Sequence, residues 1–152
     1  MDQMDIKNLF QKKTDEEKFK LSEESATAEF NKILDCYDID PEKDFTSDMK
    51  DAYEQLKIKI VKAIRTGRLN VKNDSDGMKL VQTLKNGTTT ITYNEISATA
   101  KMAMASASKD DSFGKVYEVM GSLSGLGSAA ITQLKGSDLI LCESLGTLFL
   151  LF

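Results

Sequence analysis

The chain has 152 residues, 41% of them apolar and 29% charged, which suits one domain with a packed core. It contains no histidine and only two cysteines, Cys36 and Cys142, far apart in sequence, which excludes His-based catalysis and a cysteine-cluster zinc site. The net charge of −4 comes entirely from residues 1–66, where sixteen acids face twelve bases, against eight and eight in 67–152. A nucleic acid, which needs a cationic face, is therefore not an expected partner.

The opening "MDQMDIKNLFQKK" is charged and amphipathic and has no long apolar core of a signal peptide, so reduced thiols in a cytoplasmic protein are expected. No stretch reaches the roughly 18 to 20 apolar residues that a membrane span requires.

Residues 1–45 read as an acidic helical arm, loosely anchored and mobile. Ile6, Leu9 and Phe10 share one face, Thr14 with Glu17 fits a capping box, and Ser22 offers a second cap. Phe30, Ile33, Leu34 and Tyr37 then repeat at helical spacing. "DIDPEKD" breaks that helix, with Pro41 suited to a first helical position. A compact unit is expected from residue 46 to 152. Its first helix has Thr46 or Ser47 as cap, a stripe of Met49, Ala52, Tyr53, Leu56, Ile60 and Ile64, and a stop at Gly67. "KIKIV" at 57–61 alternates like a strand, which would end the helix early.

From Arg68 the texture becomes short runs of Thr, Val, Ile and Leu around two turn signals, Asn73–Gly77 and Asn86-Gly87. These predict a two- or three-stranded antiparallel sheet over about 68–93, with a type I′ turn at Asn-Gly and a helix covering one face. After Tyr93, Asn94 is placed to cap "EISATAKMAMASAS". Asp111 or Ser112 opens a helix carrying Phe113, Val116, Tyr117, Met120 and Leu123. "GSLSGLGS" ends it, Ser128 caps "AAITQL", and Gly136 with Ser137 precedes the last helix. The fold class is α+β, mainly α: a helical arm, a small antiparallel hairpin or meander, then three to four short helices.

Few motifs suggest chemistry. "DIDPEKDFTSDM" resembles a calcium loop in acid content, but Lys43 stands where the turn needs glycine and Met49 where a bidentate Glu should close the site. The glycines of "GSLSGLGS" have neither a preceding strand nor a following Lys, which leaves an interhelix loop rather than a phosphate cradle. No acid pair sits on a periodic apolar face where burial would tune it. No catalytic residue, cofactor or metal is expected.

The closing segment 138–152 has ten apolar residues and no Lys or Arg, too short to span a bilayer and lacking the basic face of an interfacial anchor. Ile140, Leu141, Leu145, Leu148 and Phe149 form a stripe that Leu151 and Phe152 overrun, so this face is expected inside the domain or against a partner. Met102 and Met104 offer an adaptable binding surface or core filling.

Tyr93-Asn94-Glu95, Leu123-Ser124-Gly125-Leu126, Ala130-Ile131, Leu134, Asp138-Leu139 and Phe149 together resemble the tail assembly chaperones of long-tailed bacteriophages. The resemblance covers roughly 88–152 and departs from the family pattern at Ile96, where a proline is usual. It implies a non-enzymatic protein of an infected bacterium that coats tape-measure protein and helps recruit tail-tube subunits. It also implies that a frameshift near the end of the short product can append a second domain, which would account for the apolar overrun. On this reading Met102, Met104, Leu141, Leu145, Leu148, Phe149 and Phe152 hold the client, and the chain is oligomeric. Two alternatives stand beside it. One is a virion connector or decoration protein, in which Ile6, Leu9, Phe10, Phe30, Ile33, Leu34 and Tyr37 clamp a neighbouring copy. The other is a host-directed adaptor or inhibitor acting through its acidic arm.

Overall fold

A computed structural model describes residues 19–152. The Thr14–Glu17 box and the Ile6, Leu9, Phe10 face lie outside the described residues. The described chain is mixed α+β, mainly helical, with a three-stranded antiparallel sheet.

Helix α1, Glu23–Cys36, starts where the Ser22 hydroxyl accepts from the Ser25 amide, with Glu23 and Glu24 in the first turn favoured by the helix dipole. Its inward residues Ala26, Phe30, Ile33 and Leu34 are buried. Pro41 opens the short α2, Pro41–Asp44. Helix α3, Ser47–Arg65, is capped by Thr46 and buries Tyr53, Leu56, Ile60, Val61 and Ile64. Two expectations change here. Ala52 is exposed, and "KIKIV" stays helical through Arg65 because Ile60 and Val61 continue the face of Leu56 and Ile64. The helical turn leaves Ile58 64% exposed, where a strand would have put it beside Ile60. Gly67, at φ +78°, ends α3 as the Arg68 amide donates back to the Ala63 carbonyl at 2.9 Å.

Helix α1 packs on α3 and touches the first strand. The described part of the expected 1–45 arm thus packs with the common core, and the rest of it lies outside the described residues. The cause is the width of the α1 stripe: each fully buried large apolar side chain contributes on the order of 1.5–3 kcal/mol.

Strands β1 (Leu69–Asp74), β2 (Gly77–Thr83) and β3 (Thr90–Tyr93) form a meander, with Leu69 opposite Gln82 and Leu80 opposite Tyr93. Leu69, Met78, Leu80, Gln82, Ile91 and Tyr93 turn inward and are buried. The second hairpin differs from the expected type I′ turn, since Gly87 has positive φ but Asn86 does not. The Asn86 side chain instead accepts from the Thr88 and Thr89 amides and holds the loop between β2 and β3.

The remaining helices are α4 (Ala98–Ala103, continued by a 3-10 turn over Met104–Ser106), α5 (Ser112–Ser124), α6 (Ser128–Ile131) and α7 (Gly136–Leu151). The cap of α4 is Ser97, whose hydroxyl accepts from the Ala100 amide at 3.2 Å. Asn94, expected in that role, instead donates its backbone amide to the Leu123 carbonyl and ties β3 to the end of α5. Asp111 caps α5. Ser128 is the first residue of α6 rather than its cap, and α7 begins at Gly136 without a side-chain cap.

Helix α7 packs against α3 and α5 and buries residues on more than one side, namely Leu141, Cys142, Ser144, Leu145, Gly146, Leu148 and Phe149. A helix apolar nearly all round belongs in the centre of a fold. Gly146 allows the close approach to α5: a β-carbon there would meet Val116 Cγ1 at 2.5 Å.

Candidate functional site

Polar chemistry inside the fold converges where α7 starts. The buried Gln82 accepts from the Tyr93 hydroxyl at 2.7 Å and donates to the Asp138 carbonyl at 2.9 Å. The Asp138 carboxylate receives the Lys85 amide at 2.9 Å and pairs with Arg68, which also donates to the Thr83 carbonyl. Cys142 lies beside Tyr93, and burial pushes its thiol up to about 11. Burial likewise raises the Tyr93 phenol. A protonated thiol and phenol are poor nucleophiles at neutral pH. Their partners are protein groups, and among the described residues no buried side-chain polar atom lacks a hydrogen bond. The network therefore anchors α7 to the sheet.

The other shifted groups follow the same pattern. Burial pushes Tyr37 and Tyr53 up to about 12, and it raises exposed Cys36, next to Glu95, above its ordinary range. Among the described residues, no group of three or more Cys, Asp or Glu is placed to hold a metal ion, and no helix is long and apolar enough to cross a membrane.

The side chains expected to hold a partner separate into two sets. Leu141, Leu145, Leu148 and Phe149 are buried, and Phe152 is half-buried against Tyr37. Phe30, Ile33 and Leu34 are buried, and the half-buried Tyr37 accepts from the Ile96 amide at 2.9 Å. These side chains pack on one another within one chain, with Tyr37 and Phe152 left half-buried. Met104 is half-buried against the core, whereas Met102 is 75% exposed.

The apolar surface left open lies elsewhere. Phe113, one of the apolar residues expected along α5, is 63% exposed and stacks on Tyr117 with 6.3 Å between ring centroids. Met102 and Phe113 sit on the packed pair α4 and α5. Ile140, expected in the buried stripe, is 49% exposed and faces a groove beside α3. Sequence spacing gives no signal for this: Phe113 precedes Val116 by three residues, on the same helical face as the buried Val116, Met120 and Leu123.

Comparisons with protein-family models, curated proteins and solved structures return no match.

Proposed function

We propose that this chain is a non-enzymatic assembly chaperone of a long-tailed bacteriophage. It binds helical segments of tape-measure protein through Met102 and Phe113 and acts, with other copies and with tail-tube subunits, in the cytoplasm of the infected host. The observation that carries the reading is the exposure of two large flexible or aromatic side chains, Met102 at 75% and Phe113 at 63%, on the packed pair α4 and α5, whereas the exposed Ile58, Leu126 and Ile140 each stand on a different element. Such residues suit adaptable binding of apolar helices. The resemblance over residues 88–152 supplies the client. The raised pKa values of the buried thiol and phenols, and their use in internal hydrogen bonds, favour binding over bond chemistry.

Co-expression with the tape-measure product of the same phage tests this reading. The client should be recovered in the soluble fraction with the chain and lost with M102E/F113E. Equal recovery in both cases would overturn the proposal. Mass spectrometry of purified virions separates the structural alternative, because a chaperone leaves before maturation and a connector remains.

A further inference from the structure

A groove of about 630 Å³ lies between α3 and the first turn of α7, in a part of the chain that the chaperone reading does not use. Its floor is apolar, built from Ala63, Leu141 and the half-exposed Ile140. Its rim carries Lys20, Lys59 and Lys62. Lys59, Lys62, Ala63 and Thr66 follow one another at helical spacing, so one face of α3 presents both cations and part of the floor. Among the described residues, no carboxylate lies within ion-pair distance of these three lysines. The remaining charged residue at the groove, Arg68, pairs with Asp138. Among the described residues the rim thus has three positive charges without a carboxylate partner, within the half of the chain that holds all the net negative charge.

We infer that this groove docks an acidic amphipathic segment of another polypeptide, with one large apolar side chain against Ile140 and carboxylates against the lysines. Charge complementarity selects the occupant. Lys59 and Lys62 stand about 5 Å apart along α3, and Lys20 adds a third cation from a separate segment of the chain, a cluster that suits several carboxylates of one peptide. An apolar floor offers nothing to a phosphate backbone, which favours a peptide over nucleic acid. Rim charges of this kind steer and select partners. The site is independent of Met102 and Phe113.

The test uses the full chain and a fluorescein-labelled fourteen-residue peptide with Glu and Leu at alternating helical faces. Wild type should bind the peptide, with affinity falling as salt rises. K59E/K62E should lower affinity by at least about tenfold, as should replacing the peptide's Glu by Gln. I140D should also weaken binding, while M102E/F113E should leave it unchanged. Circular dichroism melts verify that each variant is folded, which surface positions should allow. No peptide binding to wild type, or equal binding by K59E/K62E or by the Gln peptide, would overturn the inference. So would displacement by oleate at equal affinity, which would mark a small-amphiphile site, or a dimer abolished by K59E/K62E, which would make a second copy the occupant.

Discussion

The rings of Tyr37 and Phe152 meet at a centroid separation of 4.9 Å, and Phe149 lies 6.1 Å from the same tyrosine. The end of α7 is thereby joined to the end of α1, and the Tyr37 hydroxyl adds a bond from the Ile96 amide. Tyr37→Phe should keep the ring packing and leave that amide without its partner. The expected loss is about 1 kcal/mol in urea unfolding, against about 2 kcal/mol for Phe152→Ala, which removes a half-buried ring. Unchanged midpoints for both variants would mean that the two helix ends do not need each other.

Gly146 sits where α5 and α7 approach most closely, with Val116 and Met120 against the space a β-carbon would fill. Gly146→Ala should destabilise the fold by about 1–3 kcal/mol through overpacking, despite the better helix propensity of alanine. Thermal unfolding followed by circular dichroism checks the sign.

Gln82 connects Tyr93 to the Asp138 carbonyl, and both of its polar ends are engaged. Gln82→Leu would take from the buried Tyr93 phenol its Gln82 acceptor, at a cost of about 1–3 kcal/mol. The double variant Gln82→Leu with Tyr93→Phe should recover part of that loss, because the phenol no longer requires a partner. A double-mutant cycle in urea measures the coupling.

Stability should fall in alkaline solution. Burial raises Cys142 from 9.0 to about 11, and Tyr37 and Tyr53 from 10.0 to about 12. Between the unfolded and folded values the unfolded chain has lost protons that the native chain keeps, so stability decreases as pH rises. The contribution is fully present below about pH 9 and fades through the window up to about 12. Each group can add a slope of up to about 1.4 kcal/mol per pH unit, less for the half-buried Tyr37. Urea midpoints measured from pH 7 to 11 should decline above 9, and Cys142→Ala should flatten the first part of that decline.

The parts of the fold that were legible in the sequence are those governed by local periodicity and punctuation. Ser22, Thr46 and Asp111 cap the helices as their residue types suggest, Pro41 opens α2, and the Asp74–Gly77 and Asn86–Gly87 turns bound three strands. What local pattern could not reveal is which apolar face meets which. The stripes of α1 and α7 look alike whether they close on each other or on a partner, because a hydrophobic face does not specify its cover. Gln82 appears as a polar strand residue, and its burial depends on Asp138, 56 positions away. Ile140 and Phe113 each belong to an apolar run that exceeds what the core can hold, a property visible only after packing is known.

The claim that a client is held on α4 and α5 is tested most directly by isothermal titration of the purified chain with a helical tape-measure segment from the same phage. Saturable binding by wild type, weakened by about tenfold or more in M102E/F113E and retained in K59E/K62E, is the expected result. Binding that is absent in wild type, or indifferent to Met102 and Phe113, would contradict the account.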